Sequence, residues 1–355
     1  MPFPLRDPKD WPPDGLESVT RCPVCGADER EPLHRDLADL IFRCAPGRWT
    51  LHRCLGCDSA YLDPRPTPAT VGLAYARYFT HAPPAETPGG PVKRFKEALA
   101  NGYRSHAFGS DFHPASHWGV LAARLLPWKK AMLDAEARGL SPPPPGESPS
   151  VLDIGCGDGT FLRLARRMGW KAFGVEPDDK AAAVAASHGA VILGRFSEDL
   201  TESYQGAFDA ATLNHVVEHA HDPPALLRTC RRLLRPGGRL WVETPNIHSP
   251  GHRRYGRFWR GLDPPRHLAL FNRASLILAR TRAGFTDIED FPHRPLCLRS
   301  FALSEAVRQG RDPYAFSKPG LPLRVRALLC DLLESLRPRL REFTTLQARS
   351  ASIDP

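Results

Sequence analysis

Residues 151–160 read VLDIGCGDGT, an apolar run that breaks at Asp153 into Gly155, Cys156, Gly157 and Gly159 before a new apolar segment begins. The pattern predicts a strand turning sharply into a helix through a turn with almost no side chains, which lets backbone N–H groups approach a ligand. Glu176 closes the next apolar run, GWKAFGVE, about twenty residues on. A carboxylate at that distance sits at the end of the adjacent strand, where it can accept hydrogen bonds from ribose hydroxyls. The chemistry implied is the binding of a nucleoside cofactor. Glycines at 155, 157 and 159 do not follow the G-x-G-x-x-G spacing of dinucleotide-binding turns.

A second constellation lies near the N-terminus. Cys22 and Cys25 form one C-x-x-C pair and Cys54 and Cys57 another, with 28 residues between the pairs. Thiolates so spaced on two tight turns can complete a tetrahedral site, and four cysteines fill it, so Zn2+ here is expected to be structural. Cys44, His34 and His52 lie between the pairs and offer substitute ligands.

The string HVVEH at 215–219 fits the H-x-x-E-H of inverted zinc proteases. Its setting argues against that use, because it directly follows the strand-like FDAATLN and precedes AHDPPALLRTCRRLLRPGGRLWVETP. Taken with the glycine turn, this block resembles the class I S-adenosylmethionine-dependent methyltransferases. The resemblance covers about 150–292 and implies a Rossmann-like sheet that binds S-adenosylmethionine. Asp153, Gly155, Cys156, Gly157, Gly159 and Glu176 would hold the cofactor, with Asn214 and His215 against its methionine part. The segment WRGLDPPRHLALFNRASLILARTRAGF at 259–285 resembles the region after the family's fifth strand and places His267 on a loop over the crevice. Methyl transfer is an in-line displacement that needs an aligned, deprotonated acceptor, and a histidine suits the second task. His267 is therefore a candidate base; fixing its own loop by hydrogen bonding is the alternative.

These residues need a scaffold, and the chain supplies alternating pieces. Strands VLDIG, KAFGVE, AVILG, FDAATLN, RLWVETP and FTDIEDF alternate with helices TFLRLARRMG, DDKAAAVAASHG, DPPALLRTCRRLL and SLILARTRAG. Such alternation predicts an α/β, doubly wound sheet with its ligand at the carboxyl ends of the strands. Asp222 and the prolines after it read as a helix start. The expected organisation is a small zinc-binding module at 1–65, a helical linker or lid at 66–148, the methyltransferase domain at 149–294 and a helical appendage at 295–355. The proline-rich SPPPPGESPS at 141–150 reads as a stiff connection before the first core strand. No final antiparallel strand is identifiable in the tail.

Composition bounds the partners. At 42% hydrophobic and 25% charged, with no run of about 18 apolar residues and no basic-then-apolar start, the chain reads as cytoplasmic and free of membrane contact. In that setting its nine cysteines are reduced or metal-bound. The net charge is +9, and eight arginines against one acid lie between 251 and 282. That excess favours an anionic group on the substrate, or else is a solvated basic face. The Cys module has no basic aromatic run, which speaks against nucleic acid as partner. The reading is methylation of a small molecule, most plausibly on oxygen. Rivals are a C-methyltransferase on a nucleotide-linked sugar, an RNA methyltransferase and a non-catalytic zinc module. Oligomeric state is not legible.

Overall fold

The structure is a computed structural model that describes residues 11–75, 90–200, 202–315 and 319–351. Short strands β1 (Leu16–Glu17), β2 (Arg30–Leu37), β3 (Trp49–Cys54), β4 (Ala60–Leu62) and β5 (Arg65–Pro66) form the N-terminal part. Helices α1 (Pro91–Phe108), α2 (Gly119–Leu125) and α3 (Pro127–Glu136) follow; Pro127 opens α3 and separates it from α2. The helical reading of VGLAYARYF holds only as a 3-10 turn over Val71–Tyr75, and its remainder lies outside the described residues.

The main sheet then builds in alternation: β6 (Ser150–Ile154), α4 (Thr160–Arg167), β7 (Lys171–Val175), α5 (Asp179–Ser187), β8 (Val191–Gly194), β9 (Phe208–Asn214), α6 (Pro223–Leu233) and β10 (Leu234–Pro245). Helix α7 (Pro250–Tyr255), β11 (Ala269–Leu270), α8 (Arg273–Arg282), β12 (Phe285–Asp290), α9 (Cys297–Arg308), α10 (Leu321–Leu336) and β13 (Phe343–Ser350) complete the chain. Side chains fix the helix starts: Asp178 caps α5 through Lys180 and Ala181 N–H, Asp222 caps α6 through Ala225 N–H, and Asn272 with Ser275 forms a capping box on α8.

Seven strands pair in the order β12-β13-β10-β9-β6-β7-β8. The five from β10 to β8 are parallel, whereas β13 runs antiparallel to both β10 and β12. The doubly wound α/β sheet expected from the sequence is present, and the strand order reverses beside β6, where such folds bind ligands. The tail differs from expectation. It is not an appendage, because Phe343–Ser350 inserts between β12 and β10 and pairs along seven positions with β10. FTTLQARS has only partial apolar alternation and follows two helices, so periodicity did not reveal it. The sheet domain therefore extends beyond residue 294, and α9 and α10 are an excursion between β12 and β13.

The Cys module is likewise joined to the rest. Its sheet runs β11-β4-β3-β2, so a strand from the loop after β10 completes it. Asn272 donates to the carbonyls of Cys57 (3.0 Å) and Asp58 (2.7 Å). Deeper in the seam, fully buried Arg266 reaches Asp263 (2.6 Å) on its own loop and Asp39 (2.6 Å) in the module. Removing one partner of such a cluster leaves the others charged and without compensation. Arg266→Ala should therefore cost about 3–5 kcal/mol, read as a lower urea midpoint with unchanged slope.

Candidate cofactor and active site

Parallel pairing of β6 with β7 and β9 brings the ends of all three strands to one edge. Directly after β6, Gly155, Gly157 and Gly159 all take positive φ, of 70°, 55° and 75°. Their roles separate once a Cβ is imagined on each. At Gly155 it would meet Val216 Cγ2 at 2.7 Å, and at Gly159 Ala185 Cβ at 2.9 Å. At Gly157 it would meet nothing within 4 Å. The outer two glycines allow close packing against the chain, while the middle one faces open space of the kind a ligand occupies.

Glu176 follows β7 and is buried. Its carboxylate accepts from Gly157 N–H (2.8 Å) and Asp178 N–H (3.0 Å), which ties the glycine turn to the next strand end. A carboxylate has about four acceptor positions, so two remain beyond these backbone donors. The structure thus brings Gly155, Gly157 and Glu176 together as expected. Asp153 faces elsewhere: it is wholly buried, paired with Arg138 after α3 and accepting from Thr212 Oγ1 (2.8 Å). Burial outweighs these partners and raises its pKa. Asp153 locks the helical segment onto the sheet beneath the turn. Cys156 is a buried packing residue whose thiol pKa is raised by burial, which removes any nucleophilic character at neutral pH.

Asn214 ends β9, and His215 follows in a left-handed conformation (φ 58°), rare for a residue with a Cβ. Because Val216 lies against Gly155, this turn borders the glycine turn. The His215 ring sits between two carboxylates, Glu218 Oε1 at 3.3 Å from Nδ1 and Glu243 Oε1 at 3.6 Å from Nε2, with Phe343 edge-on at 5.2 Å. Burial alone would lower its pKa, but the two glutamates outweigh it and raise it to about 9. Against the same opposing burial, His215 holds Glu218 down to about 2; Arg294 and then His215 hold Glu243 down to about 2. Thr345 of β13 donates to Glu243 (2.6 Å), so the late strand also orders this cluster.

His267 stands behind that cluster. It is 6% exposed, Nδ1 lies 2.8 Å from the Gly261 carbonyl, and its ring meets His219 edge-on at 4.7 Å. Burial, then His219, lowers its pKa to about 4. The His215 side chain keeps 35% of its surface accessible, so of the two it is the one a substrate can reach. Glu243, Arg294, Phe343 and Thr345 were not singled out from the sequence. The acidic residue within WVETP, near the end of its strand, was the one available signal, comparable to Glu176 after its own strand.

The arginine-rich stretch does not converge on one anion site. Arg266 serves Asp39 and Asp263, Arg273 pairs with Asp290 (2.6 Å), and buried Arg280 donates to the Leu240 carbonyl (3.2 Å). HVVEH forms a 3-10 turn over Val217–His219, not the helix a protease motif needs. In the N-terminal module, the four cysteines converge with all sulfurs within 4.8 Å of one another, Cys22 to Cys57 at 3.7 Å and Cys25 to Cys54 at 3.5 Å.

Residues 124–290 match the methyltransferase domain family. The ubiquinone biosynthesis O-methyltransferase of Xanthomonas oryzae is 36% identical over 102 residues, 27% of this chain and 43% of the relative. That of Caulobacter vibrioides is 36% identical over 108 residues, 29% and 43% of the two chains. The chain thus spans less than half the length of these relatives. Among solved structures, an S-adenosylmethionine-dependent methyltransferase from Archaeoglobus fulgidus aligns over 70% of this chain and 97% of its own, with 19% identity and a TM-score of 0.41. The Haemonchus contortus phosphoethanolamine N-methyltransferase 2 aligns over 71% and 60%, with 18% identity and a TM-score of 0.42.

The glycine geometry gives a stability test. Gly157→Ala should cost only the left-handed strain of about 1–2 kcal/mol. Gly155→Ala should cost more, because the same strain is joined by the Val216 clash. Thermal or urea unfolding of the two variants should keep that order.

Proposed function

We propose, on the premise that residues 124–290 belong to the methyltransferase domain family, that this chain transfers a methyl group from S-adenosylmethionine to an oxygen of a small-molecule acceptor. The observation that carries the reading is His215, accessible and flanked by Glu218 and Glu243, on the turn that packs against Gly155. The open space at Gly157 and the spare acceptor positions of Glu176 fit the nucleoside end of the cofactor. When bound, the cofactor supplies a methyl group on an activated sulfonium. The protein's remaining tasks are to align the acceptor oxygen in line and to take its proton. His215 is the group placed for that proton, and the glutamates stabilise the imidazolium that results. The named O-methyltransferase relatives support oxygen as acceptor atom. His267, buried and neutral, supports Glu218 and His219 from behind.

The same reasoning assigns a structural Zn2+ to Cys22, Cys25, Cys54 and Cys57. Bonds of about 2.3 Å in a tetrahedron set sulfurs about 3.8 Å apart, close to the 3.5 and 3.7 Å separations of the thiols. Such an ion would brace the module whose β4 pairs with β11. Elemental analysis should return about one zinc per chain, and chelation should lower the melting temperature; metal-free protein as first purified would remove the assignment.

Three measurements test the catalytic reading. Calorimetry should detect S-adenosylhomocysteine, and Glu176→Gln should weaken it roughly tenfold by removing a charged acceptor; no binding at millimolar ligand would sink the proposal. With labelled S-adenosylmethionine and a panel of small hydroxyl-bearing acceptors, His215→Ala should lower kcat about 10²–10⁴-fold, and His267→Ala far less. The reverse order would return the base to His267. The sign of the pH dependence follows from His215: its unprotonated fraction grows with pH, so kcat/KM should climb until about pH 9 and level there.

A further inference from the structure

Helix α10 is built inside out. Asp331 and Glu334 point inward and are buried with Ala327, Asp331 accepting from Cys297 N–H (3.1 Å) and Glu334 from the Cys297 thiol (2.9 Å). Its outward side carries Leu321, Val325, Leu328, Leu329, Leu332 and Leu336, with the end residues 71% and 82% exposed. At about 100° per residue these side chains, with half-exposed Leu333, fall in one arc of roughly 140°. Arg324 borders one edge of that arc and Arg326 the other, both exposed, and exposed Arg337 and Arg339 follow the helix. The two acids of the helix are on its buried side, so the exposed side is apolar in the middle and purely cationic at its margins.

We propose that this face docks α10 flat on an anionic lipid surface. A second copy of the chain is a poor occupant, since parallel pairing sets Arg324 and Arg326 against themselves and antiparallel pairing sets them towards Arg337, with no exposed acid on the helix in either case. A lipid interface satisfies both features: acyl chains take the leucines, and arginines snorkel from the two margins to phosphate groups. The helix lies on the membrane and does not cross it, since no described helix is long and apolar enough to span one. This departs from the absence of membrane contact expected from composition. Docking does not depend on the catalytic reading.

Co-sedimentation of the full chain with vesicles tests it. The protein should pellet with phosphatidylcholine vesicles containing phosphatidylglycerol and largely stay in solution with phosphatidylcholine alone. Leu328→Glu combined with Leu332→Glu should lower partitioning at least about tenfold, and Arg324→Glu with Arg326→Glu should abolish the preference for anionic lipid. All four positions are exposed, so melting temperature should be kept, which separates lost docking from lost folding. Equal partitioning of the leucine variant overturns the proposal, as does failure of the parent chain to bind anionic vesicles. So does sedimentation of the parent as a dimer that the leucine variant dissociates, which would give the face to a second copy.

Discussion

One buried carboxylate connects the two halves of the molecule. Glu218 has no solvent exposure, accepts from the His215 side at 3.3 Å and lies within ligand distance of His219 and His267. Its backbone carbonyl meanwhile accepts Leu268 N–H at 2.8 Å. A buried charge needs a donor and a positive partner, and His215 provides both, with His219 and His267 packed within 4.8 Å. The consequence is geometric. The turn after β9 and the loop before β11 cannot move independently, and β11 in turn completes the sheet of the cysteine module.

The module therefore acts as a buttress. A cluster of four thiols orders two tight turns; the second leads into β4, which pairs with β11, and Leu62 N–H bonds the Leu268 carbonyl. From Leu268 one hydrogen bond reaches Glu218, and from Glu218 one contact reaches His215. Arg266 reinforces the path by joining Asp39 to Asp263 in a fully buried cluster. Positioning a side chain within fractions of an ångström requires rigid support behind it. Here that support comes from the segment most distant in sequence from the turn it steadies.

Those parts of the fold whose signal is local were legible in the sequence. The glycine turn, the cap at Asp222 and the strands from Val151 to Pro245 each follow from short-range stereochemistry or apolar alternation. What escaped was decided by long-range pairing. Asp153 looked like a cofactor ligand because of its place before the turn, yet Arg138 and Thr212, from either side in sequence, claim its carboxylate. The arginines after 251 looked like an anion site because they cluster in sequence, but burial of Arg266 and Arg280 distributes them to separate partners. The approach of Glu243 to His215, 28 residues earlier, likewise has no local signal in the sequence.

Strand β13 explains why the tail carries so much of the site. An antiparallel strand between β10 and β12 must enter at the carboxyl end of β10, beside Glu243 and His215. β12 ends at that same edge, with Asp290 opposite Leu346, so α9 and α10 are an excursion that leaves the edge and returns to it. Glu334 of α10 and the segments flanking the excursion meet there: Phe291, Arg294, Glu334, Arg341, Phe343 and Thr345 line one small pocket. Burial raises the Glu334 pKa to about 8, so at neutral pH this carboxyl is mostly protonated, while Arg294 stays paired with Glu243. On the proposed reading the sheet sets the cofactor's place, whereas the connection between its last two strands shapes what else can approach. In a fold whose core is constant, that connection is where acceptor choice has room to vary.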